Sequence, residues 1–107
     1  MSKQHFFFRL IPPRPTFAQD MNEWERSLMM EHGKYVRGFF AAGTVLAFGP
    51  VLDPQGTFGM ALLEMQDLAE AEDFARNDPT VLAGLNTFKI APMRIGGSQS
   101  SRTAEPG

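Results

Sequence analysis

Residues 20–50 read DMNEWERSLMMEHGKYVRGFFAAGTVLAFGP, and the reading of this stretch decides the fold. Taken as a helix over 20–42, it stacks Met21, Trp24, Leu28, Tyr35 and Phe39 on one face, because residues three and four apart share a side of an α-helix. His32 stands on that stripe, four after Leu28 and four before Val36, where the pattern asks for a hydrophobe. An inward imidazole requires a partner or a ligand. Asp20 is the expected N-cap, with Glu23 at capping-box spacing. Glu23 and Glu25 lie near the positive end of the helix dipole, Lys34 and Arg37 toward the negative end. Gly33 and Gly38 each weaken the interior by about 1 kcal/mol relative to Ala. Gly33 beside His32 also leaves room for something to approach, with close packing on a neighbour as the plainer use. Gly43 falls where a C′ residue ends a helix.

Upstream, HFFFRLI at 5–11 reads as a strand stopped by Pro12 and Pro13. Phe6, Phe8 and Leu10 share one face, Phe7 and Ile11 the other, so a central strand covered on both sides is expected. IPPRPTFAQ at 11–19 reads as a semi-rigid loop. Downstream, 44–48 is a second strand broken by Gly49-Pro50, and 51–56 is a turn. Residues 57–65 form a third strand in hairpin with the second, with Gly59 marking a bulge or a close backbone approach. Asp67, with Glu70, opens a second helix with Leu68, Ala71, Phe74 and Ala75 on its apolar face, ending near Asn77. Asp78-Pro79 starts a further helical turn that Gly84 stops. The last strand is expected over 86–95, with Pro92 placing it at a sheet edge or a strand end.

The order β-α-β-β-α-β predicts an α+β, ferredoxin-like domain over 1–95, with helices on one face of an antiparallel sheet. Residues 96–107 are polar and Gly/Ser-rich, and a disordered tail is expected there. The helix-free sheet face carries too much apolar surface to stand bare, which predicts a homodimer packed sheet to sheet.

Composition narrows the function. Hydrophobic residues make up 43% and charged residues 21%, a globular balance. Ten Phe and seven Met mostly fill a core, and can also line an apolar pocket. A net charge of −2 without a basic run argues against nucleic acid. The absence of cysteine excludes disulfides, thiol nucleophiles and thiolate metal sites. No apolar stretch is long enough to span a bilayer, and the short apolar run near the N-terminus is too brief for a signal peptide, so a cytoplasmic location is expected. Walker, GxGxxG, GxSxG and HExxH patterns are absent, and two separated histidines make a poor metal set, so no cofactor or metal is expected.

The candidates for chemistry follow. His32 is a general base, acid or metal ligand in a semi-buried pocket, or a core or partly exposed histidine bonded to a backbone carbonyl. Asp78 is fully explained as an N-cap before Pro79. With its second oxygen it would also orient an imidazole, as the acid of a His–Asp pair does. Gly49 and Pro50 either terminate a strand or bend it to open a cleft. Arg9, from a strand face, and Arg14, from a loop, would hold an anionic substrate group, or are simply solvated or ion-paired. Tyr35 is a weaker binding candidate, and His5 is assigned no role.

Glu31-His32, Gly43, Gly49-Pro50, Asp78-Pro79, Gly84 and Pro92, in this order, resemble the YciI-like (YCII-related) family of the dimeric α+β barrel superfamily. The resemblance spans about residues 5–95. It implies a ferredoxin-like protomer, a homodimer, and a cleft with a His–Asp pair, here His32 and Asp78. It also implies lyase- or isomerase-type acid–base chemistry on a small cyclic or aromatic metabolite. A homodimeric, non-catalytic module that binds a small ligand is the alternative. Two departures stand near the pocket: the long IPPRPTF segment, and Gly33 where the family commonly has leucine after the histidine.

Overall fold

The aromatic segment after Lys3 forms strand β1 (Gln4–Ile11). The chain continues through α1 (Phe17–Asp20), α2 (Glu23–Ala41), β2 (Val45–Val51), β3 (Phe58–Met65), α3 (Leu68–Arg76), α4 (Pro79–Leu82) and β4 (Thr87–Met93). This structure, a computed structural model, describes residues 3–99. The expected tail lies outside the described residues from position 100 onward.

The four strands make one antiparallel sheet in the order β2-β3-β1-β4, the ferredoxin-like arrangement, with α1 and α4 as added helical turns. Register explains the core. Phe8 pairs with Ala61 on one side and Ile90 on the other, so alternate residues of β1 and β3 share a face. Phe6, Phe8, Leu10, Ala61, Leu63 and Met65 all lie on the helix side and are buried. Val36 of α2 and Ala71, Phe74 and Ala75 of α3 pack against them. Phe74 is the aromatic hub, with ring centroids 5.3 Å from Phe8 and 5.0 Å from Phe39.

Several expectations need correction. The helix starts later than expected: its N-cap is Asn22, which forms a capping box with Glu25, whereas Asp20 ends α1 inside the segment expected to be loop. The inward stripe rotates with that start. Trp24 is 57% exposed while Glu25 is only 6% exposed. Arg14 explains the exchange, since its guanidinium meets both Glu25 oxygens at 2.8 Å and lets a carboxylate occupy the inward position. Gly49-Pro50 does not end a strand but lies within β2, paired to Met60 and Gly59. Pro50 is tolerated because β2 is an edge strand and its missing N–H interrupts no inner ladder. The bulge lies in β2 between Val45 and Ala47, not at Gly59, whose absent side chain lets Leu10 approach closely. The last strand is shorter than 86–95, and it is an edge strand.

β1 is central, but among the described residues no element covers its second face. Phe7 and Ile11 remain half-buried there, beside Leu62 of β3.

Candidate active site

Asp78 caps α4, and its two oxygens have separate tasks. Oδ1 accepts from the Thr80 backbone N–H at 2.9 Å and from Thr80 Oγ1 at 2.7 Å. Oδ2 lies 2.5 Å from His32 Nδ1. α2 and α4 pack together, which joins residues 46 positions apart in sequence. Asp78 is fully buried. Burial pushes its carboxyl upward, but the hydrogen bond and charge of His32 and the two bonds from Thr80 together outweigh it and hold the group below the ordinary carboxylate value. With an ionised carboxylate at Nδ1, the imidazole donates from Nδ1–H, and in the neutral form Nε2 carries the lone pair.

His32 also lines a cavity of about 320 Å³ between α2 and the end of the sheet where β1 finishes and β3 begins. Phe8, Leu10 and Phe48 form its floor, and Met29 and His32 form the α2 wall. Phe17 and Met21 of the β1–α2 connection close another side. The lining contains no Lys, Arg, Asp or Glu. Its polar side chains are those of His32, Asn86 and Thr57. Among the described residues no group of three or more His, Asp or Glu side chains is placed to hold a metal ion.

The remaining candidates divide. Gly49 and Pro50 line the cavity. Arg14 does not: it is consumed by Glu25 and by Asp20, whose Oδ1 lies 2.8 Å from Nε. Arg9 projects from the opposite sheet face, with its guanidinium 3.9 Å from the centre of the Phe58 ring. Tyr35 does not line the cavity either; its hydroxyl donates to the Phe74 carbonyl at 2.9 Å. Desolvation, with smaller contributions from Asp78 and Asp73, pushes that hydroxyl up to about 12, so it stays a neutral donor. His5 bonds Glu64 at 3.0 Å, away from the cavity.

Sequence reasoning missed Thr80, which fixes Asp78, and Asn86, which lines the cavity. Thr80 had a signal, a hydroxyl two residues after an N-cap. Asn86 had none beyond following the Gly84 turn.

The family model for the YCII-related domain matches residues 5–94. The chain belongs to the YCII-related family. Among solved structures, this YCII-related protein is similar to 5-chloro-2-hydroxyhydroquinone dehydrochlorinase (TftG) from Burkholderia phenoliruptrix AC1100, in complex with 2,5-dihydroxybenzoquinone. The TM-score is 0.63 at 21% identity, over 85% of this chain and 95% of that one. That likeness concerns the fold alone, an antiparallel four-stranded sheet with helices. No curated protein matches the chain. Among the described residues no helix is long and apolar enough to cross a membrane.

Proposed function

We propose that this YCII-related protein is a small acid–base enzyme in which His32 moves a proton on a neutral, ring-bearing metabolite. One observation carries the reading: the imidazole that lines the apolar cavity is held through Nδ1 by the buried Asp78 carboxylate. That contact fixes the tautomer with Nε2 as the proton acceptor and stabilises the imidazolium that forms. The cavity supports the substrate class. A cavity of roughly 150 Å³ holds benzene, so about 320 Å³ accommodates a substituted or fused ring. A lining without formal charges favours an uncharged body, since an unpaired ionised group would be poorly solvated there.

In the proposed step, Nε2 takes a proton from a carbon or oxygen made acidic by a neighbouring carbonyl. The bonding pair then expels a leaving group as its anion from an adjacent carbon, after which the imidazolium gives its proton to water, or it shifts within the ring, where the imidazolium returns the proton. Both outcomes conserve electrons and need no external oxidant. The structural neighbour, a dehydrochlorinase similar in fold, agrees with the first. Arg14 and Tyr35, engaged elsewhere, have no part in this reading, and Arg9 lies on the far face.

The test is a screen of cyclic enones, halogenated phenols and lactones against wild type and His32→Gln. Turnover of a hit should fall by about 10²–10⁴-fold in the variant, the usual contribution of a positioned acid or base. A variant that kept full turnover would end the proposal. We also infer a homodimer packed through the uncovered sheet face, supported by the half-buried Phe7, Ile11 and Leu62 on it. A cytoplasmic setting, as the composition suggests, fits this reading.

A further inference from the structure

Asn86 has no local reason to be an asparagine. The common one, a left-handed backbone, does not apply, because no described non-glycine residue has positive φ. Its side chain makes no turn-closing bond. The bond it donates runs from Nδ2 to the Met29 sulfur at 3.5 Å, a weak acceptor. Oδ1 is buried and has no hydrogen-bond partner among the described residues, in a side chain that is only 3% exposed. Inverting the amide would bring Oδ1 against a sulfur with no proton to give, so the chemistry favours the orientation observed. A buried amide oxygen in this state is destabilising and calls for an explanation.

Its placement supplies one. Asn86 lines the same cavity as His32. Met29, which its amide touches, lies three residues before His32, about one turn away on the same helix face. The Asn86 backbone N–H donates to the Thr80 carbonyl at 3.1 Å, and Thr80 also holds Asp78 Oδ1. One helical turn, α4, therefore sets both the carboxylate behind His32 and the amide beside the cavity.

We propose that Asn86 is a ligand-binding residue whose Oδ1 accepts a hydrogen bond from a hydroxyl on the ring compound, fixing which edge of the ring meets His32 Nε2. The inference rests on the acid–base reading of the same cavity and deepens it. Both main polar anchors of the cavity are then acceptors, which selects a neutral phenol or enol over a ring bearing only ethers or carbonyls. Because Oδ1 is shielded from solvent, capture turns the amide about χ2, a broad torsion; the turn breaks the weak Nδ2 bond to the Met29 sulfur, and the stronger hydroxyl bond formed at Oδ1 offsets it.

The experiment is calorimetric titration of wild type and Asn86→Leu with hydroquinone, catechol and resorcinol, and with the dimethyl ether of each. At least one phenol should bind wild type more tightly than its ether. Asn86→Leu should weaken that phenol by about tenfold, as loss of one buried hydrogen bond does, and leave its ether unchanged. The ligand-free melting temperature should not fall, since an apolar isostere removes an unpaired polar group; a purely structural Asn86 would lower it. Asn86→Ala should give the same phenol-against-ether split and serves if the leucine variant does not fold. The proposal is overturned if no phenol outbinds its ether, or if the variants weaken phenol and ether equally. Repeating the titrations in His32→Gln separates the two ideas. Selectivity lost with Asn86 in that background stands without turnover, whereas turnover surviving His32→Gln defeats the acid–base reading alone.

Discussion

A buried carboxylate that caps a helix and holds an imidazole can be altered without disturbing the cap, which makes Asp78 an informative residue. Asparagine caps helices as well as aspartate does. In Asp78→Asn the oxygen stays with Thr80, because both Thr80 groups donate to it. The amide nitrogen then faces His32 Nδ1, a donor where an acceptor stood. The imidazole answers by changing tautomer: Nδ1 accepts and Nε2 carries the proton, so the base is lost while the fold is kept. The expected result is a rate lower by about 10²–10⁴-fold, with circular dichroism and urea midpoint near wild type. A large loss of stability would show that the carboxylate charge serves packing more than proton transfer. Glu25 yields a prediction in acid. Its carboxyl is held down to about 2, mainly by Arg14 and then by the Asn22 backbone N–H, against the opposing effect of burial. A depressed folded-state value means that the stabilisation is full above the ordinary value of 4.5 and drains away as pH falls toward about 2. Urea midpoints between pH 6 and 2.5 should therefore fall less steeply in Glu25→Gln than in wild type, and parallel slopes would refute the assignment. His32 and Asp78 each carry a local signature, one as the polar break in an apolar stripe and the other as an N-cap before proline. Their contact across 46 positions depends on how α2 and α4 pack, which no local pattern encodes. For Arg14 the ion-paired alternative is the one observed, and Tyr35 bonds the Phe74 carbonyl; in both cases the partner is set by tertiary packing.

Gly38 inside α2 and Gly43 just past its end differ in backbone, and they should answer the same substitution with opposite sign. Neither would meet any atom within 4 Å on gaining a Cβ, so space does not distinguish them. Gly38 is helical, and alanine there should add about 0.5–1 kcal/mol, or roughly 2–8 °C in melting temperature. Gly43 has φ +88°, where an L-residue is strained, and alanine should cost about 1–2 kcal/mol. Thermal melts of the two variants check both, and a gain at each site would mean that the Gly43 turn relaxes freely. At this scale most of the chain is legible, because periodicity and capping are local. The order βαββαβ, the C′ role of Gly43 and the α4 turn from Asp78-Pro79 to Gly84 all follow from neighbouring residues. The start of α2 does not. Asp20 and Asn22 are both good caps, and the choice falls to Asn22 because Arg14, distant in the pattern but near in space, draws Glu25 inward and turns Trp24 out. Gly49-Pro50 misled similarly: a Gly-Pro pair ends most strands, yet an edge strand needs no inward N–H from Pro50.

For the whole molecule, the sheet has a finished face and an unfinished one. The finished face buries Phe6, Phe8, Leu10, Leu63 and Met65 under the helices. The other carries Phe7 and Leu62 half-buried side by side, with Ile11 at the end of β1; His5 bonds Glu64 at 3.0 Å on the same face, and Arg9, between Phe7 and Ile11, lies over Phe58. Half-buried apolar side chains on a sheet face that no element covers favour a partner, and a two-fold axis through this face would make it self-complementary. The inferred homodimer should sediment at twice the 11.9 kDa chain mass. Leu62→Glu places a charge at the centre of that face and should give a monomer, because an unpaired carboxylate buried in an interface costs several kcal/mol. Leu52→Glu is the control: Leu52 is 78% exposed in the β2–β3 turn, and the variant should remain dimeric. The two faces also communicate. Phe58 and Met60 share register with Arg9 and Val51 on the outer side, yet both border the cavity. In the inferred dimer that border is covered, and loss of the partner would expose it to water. Leu62→Glu should then weaken ligand binding as well as association, although residue 62 is not in the cavity lining. A Leu62→Glu protein that sedimented as a dimer would place the interface elsewhere. One that was monomeric with unchanged binding would show that the pocket is complete within a single chain.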